Sequence, residues 1–259
     1  MMVAADPMHQ FHISRLIPFE IGGWDLSFTN SSLWMVIGVL FVIGFFAFAT
    51  SKMDTIPSRL QSLAEIWYGF IDGMVRDVNH DDGKPFVPLV FTLFSFVFVA
   101  NLFGMFSLPL PGAHTFTPTS HVAVTGALAL FTIGVVIVVG LWKNGFKFFK
   151  IFVPSGVPGY ILWFVMLIEI FSFLSRPISL GMRLFANMLG GHVALKVFAG
   201  FIPSLAAGLG GVGMLMGGLL VMPMVVGITA LEFLVAFLQA YVFAILTCVY
   251  LNDALHPGH

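Results

Sequence analysis

Ser175-Arg-Pro-Ile-Ser-Leu-Gly-Met-Arg183-Leu-Phe-Ala-Asn187-Met-Leu-Gly-Gly-His192 lies inside a region, residues 160–201, that is otherwise almost wholly apolar. Nothing nearby in sequence neutralises Arg183. An arginine at the centre of a membrane helix costs from about 3 to more than 10 kcal/mol. A chain that keeps such a group needs a partner or a task for it.

Hydrophobic residues make up 59% of the chain and charged residues 9%, against about 25% charged in soluble domains. From Pro85 to Trp142 there is no Asp, Glu, Lys or Arg. Runs of this kind exceed the roughly 20 apolar residues that span a bilayer. The expected fold class is therefore an all-α integral membrane protein: about five membrane-inserted helices and one amphipathic interfacial helix, in a single membrane domain over 1–259. The net charge of −1 gives no electrostatic case for a nucleic acid partner. Cys248 has no second cysteine to pair with and reads as a small core residue. The first thirty residues lack a basic start followed by an apolar run, so no secretory signal is expected.

Residues 1–30 read as a mixed polar segment with interfacial aromatics such as Trp24. The first crossing is expected at 32–49. In 57–78, Leu60, Leu63, Trp67, Phe70, Ile71, Met74 and Val78 recur at helical spacing, with Arg59, Glu65, Asp72 and Arg76 between them. This predicts an amphipathic helix with one wet face, opened by Pro57 and a Ser58–Gln61 capping box, lying on the membrane surface or against another subunit. His80-Asp81-Asp82-Gly83 reads as a solvated turn and not a metal site. The second crossing is placed at 85–106 and the third at 120–141, capped by Thr119 or Ser120, with an uncharged proline-rich loop between them. Lys143, Lys147 and Lys150 alternate with phenylalanines at headgroup level.

Two very long apolar stretches remain. Residues 160–201 would reach about 63 Å as one helix, while the hydrocarbon core is about 30 Å thick. A pair of steeply tilted helices over 160–251, folded as a hairpin at the glycine-rich 206–213, accommodates both. With five crossings, Lys52, Arg59, Arg76, Lys84, Lys143, Lys147 and Lys150 fall on one side, while 107–119 and 202–210 carry no lysine or arginine. The positive-inside rule then puts the 1–30 segment outside and the C-terminus inside.

Glu169, Arg176 and Arg183 are spaced by seven and share a helix face, and Asn187 is one turn beyond Arg183. Glu232 and Gln239 are likewise seven apart. In an antiparallel hairpin, Arg183 with Gln239 has its midpoint at residue 211, and His192 with Glu232 has its midpoint at 212. One turn therefore brings both polar pairs together, to within about one helical turn of register. Arg176 is expected to snorkel or to pair with Glu169.

At these residues the sequence resembles subunit a of the rotary F-type ATP synthases, the stator half of a membrane proton channel. Ser179-Leu-Gly-Met-Arg183-Leu-Phe-Ala-Asn187-Met carries the most specific match, joined by Asn101-Leu-Phe-Gly, Thr117-Pro-Thr-Ser and Gln239-Ala-Tyr-Val-Phe. The resemblance implies that Arg183 faces a rotating ring of c subunits. It implies that Asn187, His192, Glu232 and Gln239 line aqueous half-channels, with Glu169 on the cytoplasmic side and Asn101 near the outer opening. The family often has an acid at the position of His192 and a histidine at that of Glu232, so the pair is exchanged here, and which of the two passes the proton stays open. Implied partners are the c-subunit ring, peripheral-stalk b subunits, lipid and protons. No cofactor is implied, nor catalysis by this chain alone, and the expected location is a bacterial inner membrane, or alternatively the mitochondrial one. A stand-alone secondary transporter would be expected to show repeated halves, and none is evident. A haem carrier would need facing histidine pairs, which His114, His121 and His192 do not form.

Overall fold

The computed structural model describes residues 13–21, 24–25, 27–51, 56–106, 117–153 and 159–256. The proline-rich stretch 107–116 and the 1–12 part of the N-terminal segment lie outside these residues. A backbone at mid-bilayer finds no water, so every N–H and C=O must be satisfied within the segment. The apolar runs accordingly become helices: α1 (Asn30–Ala49), α3 (Val87–Met105), α4 (Val122–Asn144), α5 (Gly159–Met216) and α6 (Met222–Leu255), with α2 (Arg59–Asn79) between the first two. Among the described residues, four helical stretches are long and apolar enough to cross a membrane, and the last, Tyr160–Leu255, contains both limbs of the hairpin. The architecture is an all-α membrane protein.

The hairpin turns at Gly210 (φ 57°, ψ −131°), a backbone conformation closed to residues with a Cβ. This falls within the glycine-rich segment that the sequence points to. A π-turn, Gly217–Val221, then leads into α6.

One expectation needs enlarging. The mixed polar N-terminal segment contains short strands: β1 (Arg15–Ile17) pairs with β4 (Phe28–Thr29), and β2 (Glu20–Ile21) pairs with β3 (Trp24–Asp25), all antiparallel. Strands of two or three residues are too short to leave an alternating pattern in the sequence. Asn30 ties this segment to α1: its N–H donates to the Ser14 carbonyl (3.1 Å), and its Oδ1 accepts from the Ser14 N–H (3.3 Å).

The chain divides into two compact units. One comprises residues 1–40, 97–121 and 184–239, the other residues 41–96, 122–183 and 240–259. In the first, Trp34 is buried edge-on against Phe103 (6.1 Å between ring centroids), and Phe98 packs on Phe237 (5.9 Å). In the second, α2 lies on parts of α1, α3 and α6. Trp67 Nε1 donates to Ser95 Oγ (3.2 Å), while Phe70 packs on Phe94 (5.8 Å) and Tyr241 (5.9 Å).

The Oγ of Ser58 accepts from the Gln61 N–H (3.3 Å) at the start of α2, as its sequence predicts. The buried stripe is displaced from the expected one, however. It runs Gln61, Ala64, Ile71, Met74, Val75 and Asn79, whereas Leu60, Leu63 and Phe70 remain exposed.

Thr119 and Ser120 do not cap α4. The Thr119 hydroxyl donates to Asn101 Oδ1 (2.7 Å) and the Ser120 hydroxyl to the Thr117 carbonyl (2.7 Å). His80-Asp81-Asp82-Gly83 belongs to a 3-10 segment, His80–Phe86. There Asp82 takes Lys143 Nζ (3.3 Å) and His256 Nε2 (3.0 Å), drawing the ends of α4 and α6 to this surface. The Lys143 ammonium, with His256 beside it, holds the Asp82 carboxyl below the usual carboxylate range.

Candidate functional site

Arg183 and Asn187 are successive-turn positions on one side of α5, and both are exposed. Among the described residues of its unit, no acid pairs with Arg183. The same side of the helix carries Ser179, Ala186 and Gly190, all exposed.

The other polar residues gather inside the first unit. His192, Glu232, Gln239 and Asn101 are all buried. Asn187 Nδ2 donates to Gln239 Oε1 across the hairpin (2.6 Å). The sequence midpoint rule set Gln239 opposite Arg183, and the observed partner is one turn further along. His192 Nδ1 lies 3.8 Å from Glu232 Oε1, within ion-pair range but too long for a direct hydrogen bond. Room for that carboxylate comes from Gly191, where a Cβ would stand 2.7 Å from Glu232 Oε1.

On its other side, His192 Nε2 meets Thr117 Oγ1 at 3.0 Å. Asn101 completes the cluster: its Nδ2 donates to the Ala236 carbonyl (3.2 Å), and its Oδ1 accepts from Thr119. Glu232 Oε1 and Gln239 Nε2 have no hydrogen-bond partner among the described residues. Buried polar atoms left over by the protein are characteristically served by water.

Glu169 is half-buried and belongs, like Arg183, to the second unit. It is not the partner of Arg176. Arg176 Nη1 pairs with Asp253 Oδ2 on α6 (2.9 Å), and its guanidinium lies over Phe173 (5.4 Å) and Tyr250 (4.9 Å). Seven residues along a helix amount to about 10.5 Å of rise, too far for a direct Glu169 contact, whereas the antiparallel limb brings Asp253 alongside. Removing one member of a half-buried pair strands the other. Arg176→Leu should therefore lower the heat-inactivation midpoint in detergent more than the double variant Arg176→Leu/Asp253→Leu does. The double-mutant cycle should return a coupling of about 1–2 kcal/mol.

Sequence reasoning named His192, Glu232, Gln239, Asn187 and Asn101, and the structure brings these five into one unit. It missed Thr117, Thr119 and Asp253 as partners. A signal for the first two existed: Thr117-Pro-Thr-Ser is a polar island within the uncharged span from Pro85 to Trp142.

A profile of the ATP synthase A chain family matches residues 32–252. The chain is 58% identical over 258 residues to ATP synthase subunit a of Chelativorans sp. (strain BNC1), covering 99% of this chain and 100% of that one. Against ATP synthase subunit a of Maricaulis maris (strain MCS10) it is 56% identical over 259 residues, with 100% of both chains covered. A similar protein in Rhizobium johnstonii, also an ATP synthase subunit a, is 57% identical over 256 residues, covering 99% of each chain.

Proposed function

The chain belongs to the ATP synthase A chain family, and on that premise we propose that it is the proton-translocating stator subunit of the synthase's membrane sector. Its Arg183 would drive proton exchange with carboxylates on a rotating ring. The observation that carries this reading is the exposed guanidinium of Arg183, for which no acid among the described residues of its own unit supplies a counter-charge. An intramembrane cation that no described acid of its unit pairs with calls for a partner on another chain.

Guanidinium stays protonated at any working pH, so Arg183 acts as a fixed charge and not as a proton carrier. A ring carboxylate facing lipid must be neutral; beside Arg183 its ionised form is favoured, and there it releases its proton. Release requires water from one side only, which two offset polar clefts provide. His192, Glu232, Asn101, Asn187 and Gln239 would line the outer cleft, and Glu169 the inner one. The leftover polar atoms on Glu232 and Gln239 support a wet path. Each proton reaches the inner cleft by riding the ring almost all the way round. The drive is about 2.3 kcal/mol per charge for each 100 mV, so several protons are needed per ATP.

In this reading the subunit catalyses nothing alone. It works with the c-subunit ring and peripheral-stalk b subunits in a bacterial inner membrane, with the 1–30 segment outside and the C-terminus cytoplasmic. Ala186→Cys, on the exposed side one turn from Arg183, should form a disulfide to a cysteine placed beside the ring carboxylate. A chain that transports ions when reconstituted without any ring, and gives no such cross-link, would instead be a stand-alone transporter.

A further inference from the structure

We propose that Thr117 is a positioning residue for proton transfer: its hydroxyl holds His192 Nε2 so that the imidazole can exchange tautomers without turning. The proposal rests on the reading of His192 and Glu232 as proton-passing groups. Thr117 and His192 are both buried, and Thr117 Oγ1 is 3.0 Å from His192 Nε2, while the other ring nitrogen faces Glu232 Oε1 at 3.8 Å. The ring therefore lies between a hydroxyl within hydrogen-bond distance and a carboxylate within ion-pair range.

A neutral imidazole has one donor and one acceptor nitrogen. When Nδ1 carries the proton toward Glu232, Nε2 must accept, and the Thr117 hydroxyl donates. When the proton sits on Nε2, that nitrogen must donate, and the same oxygen accepts. A hydroxyl serves both states by rotating its own hydrogen. A side chain that only accepts would match one state alone, and an apolar one would leave a buried nitrogen unmatched in both. A proton arriving on one ring nitrogen and leaving from the other passes through both states, so the partner of Nε2 must be able to do both.

The position is made by a second residue. A Cβ on Gly104 would collide with Oγ1, Cγ2 and Cβ of Thr117, so glycine there is what admits the side chain that reaches His192. Gly191 does the same for Glu232 on the opposite side of the ring. Both partners of the imidazole are thus seated against a missing Cβ, at Gly104 on α3 for Thr117 and at Gly191 on α5 for Glu232.

The test compares Thr117→Val, which keeps the shape and loses the hydroxyl, with Thr117→Ser, which keeps the hydroxyl and loses a methyl. Both are assayed in the assembled complex in membrane vesicles, as passive proton conduction after the catalytic sector is stripped, with His192→Ala as reference. The expected result is a fall of about tenfold or more in Thr117→Val, from the unmatched buried nitrogen, with Thr117→Ser keeping most of the conduction. A packing role predicts the reverse order, and that order, or native conduction in Thr117→Val while His192→Ala is dead, overturns the proposal. Native conduction in His192→Ala overturns the proton-passing reading itself, and the proposal with it. Should Thr117→Val not assemble, Gly104→Ala displaces the hydroxyl without removing it. The same fall is then expected, and native conduction in Gly104→Ala counts against Thr117.

Discussion

Arg183→Ala is expected to abolish ATP-driven proton pumping, by at least about a hundredfold for loss of a preorganised charge at the reacting group, while leaving the complex assembled. Assembly survives for a structural reason. Arg183 is exposed, and no acid among the described residues of its own unit pairs with it, so its removal orphans no described charge there. Arg176 is the contrasting case, because its loss strands Asp253. Arg183→Lys should fail nearly as badly: an ammonium is more strongly hydrated and can shed its proton when desolvated, so it is a poorer fixed charge than guanidinium. Pumping is read as acridine-dye quenching in inverted vesicles, with assembly checked on native gels. An assembled Arg183→Ala complex that still pumps would falsify the gate.

Much of this arrangement is legible in the sequence, because composition and spacing carry it. The charge-free span from Pro85 to Trp142 forces helices, and the turn at Gly210 falls in the one glycine-rich segment between two long apolar stretches. The midpoint rule brings His192 to Glu232, and Gln239 meets Asn187, one turn from Arg183 and within the one-turn register expected of the rule. Periodicity was weaker wherever the deciding contact joined separate elements. Asp253 as the partner of Arg176, and Asn101 as the acceptor for the Thr119 hydroxyl, depend on which helices become neighbours. Spacing along one helix offers Arg176 only Glu169, and a cap is the natural local use for Thr119. Tertiary packing supplied better partners for both. The same holds for α2, whose buried stripe follows Ala64 and its neighbours and not the largest side chains.

Exchanging His192 and Glu232, as the double variant His192→Glu/Glu232→His, should preserve far more proton conduction than either single variant. Each single change places two like groups side by side. His192→Glu sets two carboxylates at one buried site, where both cannot ionise together. Glu232→His sets two imidazoles there with no acid between them. Either loses the acid–base pair, which is worth about a hundredfold or more in a proton-transfer step. The double variant restores one acid and one base across the hairpin. The side chain at position 232 lies directly against Gly191, where a Cβ would meet the Glu232 carboxylate, so the exchanged ring depends on that glycine. Thr117 limits the recovery. Its hydroxyl now faces position 192, where the carboxylate would be only a hydrogen-bond acceptor when ionised, so the exchanged pair should recover partially, about tenfold above the singles by their coupling. Gly191→Ala in the exchanged background should remove that recovery. Equal loss in both single variants and the exchanged one would mean that the two groups act separately. The 3.8 Å approach of His192 and Glu232 would then be a matter of packing and not of proton passage.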